Sequence, residues 1–266
     1  MKLGVIGCGK MGSALVGGAI RAKAVSAGDV LGYDPFPASA EAFTETTGAS
    51  TVAEIGGLSG CDTFLLCTKP HQAEAALRQL ADGGASGALL ISVAAGLSID
   101  WLQSHSPAGF RVVRCMPNTP ALVGEGAAAF ALGTEASSDD ASAARSLLGS
   151  VGIAHEVPES LLDAVTGLSG SGPAFAFLMI EALADGGVRC GLPRAQALEL
   201  AAQTLRGAAT MVLETGDHPA VLKDRVASPG GTTIAGLAAM EAGGVRDALI
   251  EAVTMAAQRS AELGKA

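Results

Sequence analysis

The sequence is poor in aromatic side chains and in charge. Aromatic residues make up 3% of the 266 residues and charged residues 16%, where about 25% is usual. There are 17 basic and 26 acidic residues, which gives a formal net charge of −9. Nucleic acids and anionic membranes attract basic surfaces, and bases stack on aromatic side chains. We therefore expect no nucleic-acid partner and no membrane partner.

The sequence also lacks the patterns of disulfides, metal sites and exported proteins. The five cysteines are an odd number without C-x-x-C spacing, and the four histidines lie far apart. These features predict reduced thiols and no metal site. The longest apolar run, residues 88–97, is shorter than the ~18–20 residues of a membrane span, and no signal peptide precedes the first strand. We expect a cytoplasmic protein.

Short apolar runs alternate with helix-like stretches in the first half of the chain. This alternation predicts a parallel sheet covered by helices. Strands are expected at 2–6, 30–33, 63–67, 88–93, 111–115, 126–131 and 153–156. Helices are expected at 11–22, 37–47 and 71–80.

The second half shows a helical period of 3.6 residues instead. We place a domain boundary near residue 157, so that an α/β domain (1–157) precedes an all-helical domain (158–266). Small residues dominate the helical stripes, so each helix buries little apolar area by itself. We expect these helices to pack against a second subunit.

A glycine-rich turn follows the first strand and opens a helix. Its sequence is Gly7-Cys8-Gly9-Lys10-Met11-Gly12, a G-x-G-x-x-G pattern. The glycines permit a tight turn and close approach of a pyrophosphate, and the helix N-terminus offers free N–H groups. In this strand–turn–helix context the pattern predicts a dinucleotide-binding Rossmann domain rather than a purely structural turn.

Asp34 ends the second predicted strand at the spacing expected of the residue that meets the adenine ribose. A carboxylate accepts hydrogen bonds from a 2′-OH and repels a 2′-phosphate. The cofactor is therefore NADH or NADPH, with NADH favoured by Asp34. Two alternatives stay open: Asp34 simply starts a turn with Pro35, or Lys10 compensates its charge.

Three further segments end strands at the edge of the sheet where ligands bind. Cys67-Thr68-Lys69-Pro70 adds a cation and a proline, Ala94-Ala95 adds small residues, and Asn118 adds an amide. Together they predict contacts to the nicotinamide half of the cofactor.

The chain resembles the pyrroline-5-carboxylate reductases over essentially its whole length. The resemblance depends on the following motifs: Gly7–Gly12, Lys69-Pro70, Ala94-Ala95-Gly96, Met116–Pro120, Thr166–Pro173, Gly186-Gly187-Val188 and Leu222–Leu237. It implies a Rossmann domain followed by an all-α dimerisation domain, similar to the C-terminal domain of 6-phosphogluconate dehydrogenase. It also implies a homo-oligomer with interleaved helical domains. The reaction would reduce 1-pyrroline-5-carboxylate to L-proline.

The segment Ser228-Pro229-Gly230-Gly231-Thr232-Thr233 is a glycine-rich turn before a predicted helix that begins near Thr232. Free N–H groups there suit a small carboxylate. The alternative is a helix cap formed by Ser228 or Thr232. The resemblance favours a substrate site that contains Ser228, Gly230, Gly231, Thr232 and Thr233. It assigns Thr233 the hydrogen bond to the imine nitrogen, and it places Glu159 near the substrate.

Two departures from the family pattern concern the cofactor. Glu54 stands where an asparagine is common near the adenosine, which favours NADH. Arg225 stands where some relatives have asparagine near the partner's cofactor, and it would instead offset Asp34 and favour NADPH.

Three rival functions have a similar layout. A β-hydroxyacid dehydrogenase usually carries a lysine on the first interdomain helix, and residues 161–185 contain none. Another NAD(P)-dependent imine oxidoreductase of the same two-domain layout is an open alternative. A nucleotide-sensing protein without turnover would not need the Ser228–Thr233 segment.

Overall fold

The computed structural model describes residues 1–264. Eight strands form one sheet in the order β3-β2-β1-β4-β5-β6-β7-β8. The strands are β1 Leu3–Ile6, β2 Val30–Tyr33, β3 Ser50–Thr51, β4 Thr63–Leu66, β5 Leu89–Ser92, β6 Arg111–Met116, β7 Gly126–Leu132 and β8 Gly152–Glu156. The seven predicted strands are confirmed to within two residues at either end, and the two-residue β3 has no signal in the sequence.

The α-helices of the strand-containing part alternate with the strands. They are α1 Lys10–Arg21, α2 Pro37–Thr47, α3 Pro70–Asp82, α4 Ile99–His105 and α5 Ser138–Gly149. After β8, every regular element within the described residues is helical. These helices are α6 Leu162–Val165, α7 Gly172–Arg189, α8 Arg194–Thr215, α9 Pro219–Val226, α10 Thr232–Ala242 and α11 Val245–Leu263.

The strand order explains where a ligand would lie. β1 is parallel to both β2 and β4, so the chain turns in opposite directions on either side of β1. This is the switch point at which open α/β sheets bind ligands. One pair departs from the predicted parallel arrangement, because β7 runs antiparallel to β6. Residues 117–125 join them, and a parallel crossover needs a dozen residues or more.

Helices cover both faces of the sheet. Leu3 and Val5 of β1 pack with Leu15 and Val16 of α1 in one apolar cluster. Ile6 points to the other face and belongs to the cluster that contains α3. Since side chains alternate along a strand, the uninterrupted apolar sequence of β1 fits a strand buried on both faces.

The chain divides into two compact units. The strand-bearing unit contains Met1–Ser171 and, within the described residues, 255–264, and the helical unit contains Gly172–Thr254. Residues 157–171 belong to the first unit, where Leu162 is buried in a cluster with Ala129 and Ala131. The domain boundary near residue 157 stays a prediction about the chain's organisation.

The helical unit buries few side chains by itself. The buried residues of its core cluster are Ala184, Ala197 and Ala201, and the partly buried Ile180 and Val188 pack against them. By length and composition, the helical stretch Glu159–Arg189 is long and apolar enough to cross a membrane, although polar residues interrupt its apolar sequence. A helix that packs against another subunit has the same composition.

Candidate active site

The glycine-rich turn has the geometry that the sequence predicts. Gly7 has φ +102°, and a Cβ there would lie 2.8 Å from the carbonyl of Cys67. A Cβ on Gly12 would lie 2.3 Å from the Gly7 oxygen. Gly9 is exposed at the N-cap of α1, and a Cβ there would meet nothing within 4 Å. The turn therefore requires glycine at positions 7 and 12, whereas the space beside Gly9 is open.

Asp34 holds the glycine-rich turn in place. Its Oδ2 accepts a hydrogen bond from the Cys8 N–H at 2.9 Å, and its Oδ1 accepts one from the Phe36 N–H at 3.0 Å. The second bond is the local turn that the alternative interpretation predicts. Asp34 thus combines a structural role with a negative charge beside the turn.

The ends of β4 and β5 adjoin this turn and the space next to it. Gly7 packs against Cys67, and Thr68 is the next residue along the chain. The buried Oγ1 of Thr68 has no hydrogen-bond partner within residues 1–264. Lys69 is exposed at the N-cap of α3, and Pro70 is the first residue of that helix. Ala94 is buried and Ala95 is exposed, just before Gly96 at φ +79°. The open space over Gly9 and the unused hydroxyl of Thr68 fit a bound dinucleotide.

Three cysteines near these strand ends are unreactive. Burial, together with the nearby charge of Asp34, raises the pKa of the Cys8 thiol to about 12. Burial also raises the pKa of Cys67 and of Cys115. Since thiols act as nucleophiles only when ionised, none of the three is a nucleophile at neutral pH.

Asn118 is buried, and both ends of its amide bind protein groups. Nδ2 donates to the Ser169 oxygen at 3.0 Å, and Oδ1 accepts from the Ala127 N–H at 2.9 Å. Ser169 lies in the π-helical turn Thr166–Gly170, which joins α6 to α7. Asn118 therefore ties the loop after β6 to this turn, and its contact to the cofactor stays a prediction.

A cavity of about 960 Å³ opens at the carboxyl ends of β4 and β5. Pro70 and Ala95, two of the predicted cofactor contacts, lie in its wall. Six polar or large apolar residues that sequence reasoning missed also line it: Trp101, Thr166, Ser171, Arg259, Ser260 and Leu263. Thr166 and Ser171 belong to the motif Thr166–Pro173 that carries the resemblance, whereas nothing in the sequence links the end of α11 to a site.

Glu159 lies in the short 3-10 helix Glu159–Leu161, in the strand-bearing unit. Its Oε1 accepts hydrogen bonds from the Ile99 N–H at 2.7 Å and from Arg114 Nη1 at 2.8 Å. The predicted contact of Glu159 with the substrate therefore stays a prediction.

The Ser228–Thr233 turn lies in the helical unit. α10 begins at Thr232 as predicted, with Gly231 at the N-cap. The alternative of a side-chain cap from Ser228 or Thr232 is wrong, because no side chain caps this helix. Gly231 leaves no room for a side chain, since a Cβ there would lie 2.2 Å from Ser228 Oγ. The first N–H groups of α10 have no intrahelical acceptor, and residues 228–233 contain no acidic side chain.

The remaining predicted cofactor residues lie at the surface. Lys10 is exposed at the start of α1, next to Met11, and Glu54 is exposed before the 3-10 helix Ile55–Leu58. Arg225 pairs with Asp217 at 2.6 Å in the helical unit, so its positive charge is partly compensated there. Within residues 1–264, no three His, Cys, Asp or Glu side chains are placed to hold a metal ion.

A glycine-rich turn at the switch point of a mostly parallel sheet, followed by a helical unit, defines an NAD(P)-dependent oxidoreductase of the Rossmann class. Residues 2–96 match the family profile described as NADP oxidoreductase, coenzyme F420-dependent. Residues 159–263 match the profile described as pyrroline-5-carboxylate reductase dimerisation.

Full-length relatives make the assignment more specific. The chain is 47% identical to a pyrroline-5-carboxylate reductase of Methanosarcina acetivorans, over 99% of this chain and 98% of the relative. Its fold matches the reductase of Coxiella burnetii with a TM-score of 0.92 at 33% identity, over 98% of each chain. The reductase of Plasmodium falciparum, solved with NADP bound, matches with a TM-score of 0.86 at 33% identity, over 99% of this chain and 98% of that one. The chain belongs to the pyrroline-5-carboxylate reductase family.

Proposed function

We propose that this protein reduces 1-pyrroline-5-carboxylate to L-proline with NADH or NADPH, the last step of proline biosynthesis. The observation that carries the proposal is the uncapped N-terminus of α10 after Gly230-Gly231, in a chain of this family. Such a terminus suits the substrate's carboxylate. The rival β-hydroxyacid dehydrogenase has no support, because α6 and α7 carry no lysine.

The strand-bearing unit would hold the dinucleotide, which supplies a hydride when bound. Free N–H groups at the start of α1 would bind its pyrophosphate. The residues proposed to contact the cofactor are Gly7, Cys8, Gly9, Lys10, Met11, Gly12, Asp34, Glu54, Cys67, Thr68, Lys69, Pro70, Ala94, Ala95, Asn118 and Arg225.

The helical unit would hold the imine. The N–H groups of Thr232 and Thr233 bind its carboxylate, and Ser228, Gly230 and Gly231 shape the turn around it. The Thr233 hydroxyl hydrogen-bonds the ring nitrogen, which becomes a basic amine when the imine carbon is reduced. A threonine hydroxyl is too weak an acid to donate its own proton. The proton therefore arrives with the protonated imine or passes from water through Thr233.

We also propose that the protein is a homo-oligomer formed through the helical unit. Large apolar side chains are exposed there in the single chain, with Phe177, Leu178 and Leu213 between 64% and 73% exposed. Exposed apolar surface of this extent marks a protein interface. It also explains the low fraction of charged residues.

The fold is that of a soluble enzyme. We propose that it works in the cytoplasm, because all five cysteines are unpaired and three of them are buried as thiols.

The purified protein should oxidise NADH or NADPH when 1-pyrroline-5-carboxylate is added, with proline as the product. Absorbance at the nicotinamide band gives the rate, and chromatography identifies proline. A β-hydroxyacid serves as the comparison substrate. It is supplied with NAD⁺ or NADP⁺ and should not be oxidised. Absence of turnover with either cofactor would contradict the proposed reaction.

Replacement of Asp34 by serine should raise the NADPH/NADH ratio of kcat/KM by about 5- to 10-fold. Removing one like-charge contact at ~4 Å in water is worth about 1 kcal/mol. Asp34→Asn removes the charge and keeps one oxygen that can accept from either the Cys8 or the Phe36 N–H, so it preserves more of the turn than serine does. If the charge is responsible, both variants shift the ratio. An unchanged ratio in Asp34→Asn would remove the carboxylate from cofactor choice.

A further inference from the structure

We propose that Glu159 is a positioning residue for the dinucleotide, which acts through α4 and the turn before it rather than by contact with the imine. This inference assigns a role within the proposed reductase function and depends on it. Glu159 lies outside the lining of the 960 Å³ cavity, and its carboxylate binds the N–H of Ile99, the residue after the lining residue Ser98.

The contacts of Glu159 are short and partly shielded from water. One oxygen, Oε1, accepts from the Ile99 N–H at 2.7 Å and from Arg114 Nη1 at 2.8 Å. The Arg114 side chain is 14% exposed and that of Glu159 is 33% exposed. Solvent screens such a pair less than a surface ion pair, and removal of one partner leaves a charge that is poorly solvated.

The first wall is the turn between β5 and α4. Ile99 is the first residue of α4, and Ser98 caps the helix by accepting a hydrogen bond from the Trp101 N–H. Ala95, Gly96, Ser98 and Trp101 all line the cavity. By holding the Ile99 N–H, Glu159 fixes the end of the segment that begins with the predicted cofactor contacts Ala94 and Ala95.

The second wall is the helical stretch that Glu159 itself opens. It continues through α6 to the π-helical turn, and Thr166 and Ser171 at its two ends line the same cavity. Ser260 of α11, another lining residue, donates to Asp163 in α6 at 2.7 Å. Arg114 on β6 anchors Glu159 to the sheet, so the pair sets the spacing between the two walls.

Two modes of action can be told apart by measuring cofactor binding without substrate. If Glu159 acts through the turn, Glu159→Ala should raise the Kd of NADPH about 3- to 30-fold in the absence of the imine, as for other couplings through packed elements. If Glu159 touches the imine directly, only the KM for the imine should rise. Nicotinamide fluorescence during titration gives the Kd.

Three further variants make the test decisive. Glu159→Gln keeps an acceptor for the Ile99 N–H and should restore most of the cofactor affinity. In Glu159→Ala, the positive charge of Arg114 has lost its partner, and the double variant Glu159→Ala with Arg114→Met removes that charge as well. The loss of NADPH affinity in the double variant should therefore be smaller than the sum of the losses in the two single variants. Glu156→Ala is the matched control, because within residues 1–264 the Glu156 side chain forms an exposed ion pair with Arg145 and no hydrogen bond with α4.

An unchanged NADPH Kd in Glu159→Ala would overturn the inference, and so would an equal loss in Glu156→Ala. A lower melting temperature with unchanged Kd would also overturn it, since that result indicates structural support only. Because the titration needs no imine turnover, these outcomes are independent of whether the wild-type protein reduces 1-pyrroline-5-carboxylate.

Discussion

Thr233→Ala should lower kcat by about 10- to 1000-fold, with NADPH affinity unchanged. A hydrogen bond to the ring nitrogen strengthens as hydride arrives and the nitrogen becomes basic. Loss of a donor that acts mainly in the transition state lowers kcat more than it raises KM. Steady-state kinetics at saturating cofactor, together with a fluorescence titration, measure both quantities.

The position of Thr233 makes this substitution a clean test. It is the second residue of α10 and is half-buried, with Gly231 rather than Thr233 at the N-cap. Alanine is the best helix former, and it leaves the Thr233 N–H in place for the carboxylate. The helix should therefore persist, and the loss should come from the hydroxyl alone.

Two comparisons identify the hydroxyl as the cause. Thr233→Ser keeps the hydroxyl and should recover most of kcat. Thr210→Ala removes an exposed hydroxyl that binds only the Arg206 carbonyl in α8, and it should leave kcat unchanged. If Thr233→Ala keeps the wild-type kcat, Thr233 has no part in the chemistry.

Local sequence patterns predicted most of the fold, the glycine-rich turn and the start of α10. β1, β4 and β5 are short apolar runs bounded by turn residues, and they form buried parallel strands. The glycine spacing predicted the turn at Gly7–Gly12, because steric limits on backbone geometry act between neighbouring residues. The same locality explains why α10 begins at Thr232 as expected.

Contacts between distant parts of the chain were beyond the sequence. Glu159 binds Arg114, 45 residues away, and Ile99, 60 residues away. Ser260 reaches Asp163 across 97 residues. No periodicity encodes such pairs, because they depend on how the helical stretch after β8 packs on the sheet. A carboxylate predicted as a substrate contact thus proves to be engaged with the protein itself.

Asp34 shows why a local pattern leaves a role open. The sequence predicted a ribose contact or a turn; the structure shows the turn bond to Phe36 together with a bond to the glycine-rich loop, and the ribose contact stays a prediction. Charge and geometry are separate properties of the side chain. Only a variant that retains one and removes the other distinguishes them.

The glycine-rich turn allows structure and binding to be separated by two substitutions three residues apart. Gly9→Ala should raise the Kd of NADPH about 10-fold or more and change the free energy of unfolding by less than about 1 kcal/mol. Gly9 has φ −71°, which alanine adopts readily, and its Cβ would enter open space where the pyrophosphate is proposed to lie. Titration and thermal unfolding of the same preparation measure both effects.

Gly12→Ala should show the opposite balance. Its Cβ would lie 2.3 Å from the Gly7 backbone oxygen, so β1 and α1 must move apart, at a cost of about 2–3 kcal/mol in the free energy of unfolding. Cofactor binding should fall only as a consequence of this distortion. If Gly9→Ala binds NADPH as the wild type does, the space above Gly9 does not hold the cofactor. If Gly12→Ala is as stable as the wild type, the close packing of β1 and α1 at Gly12 is not required.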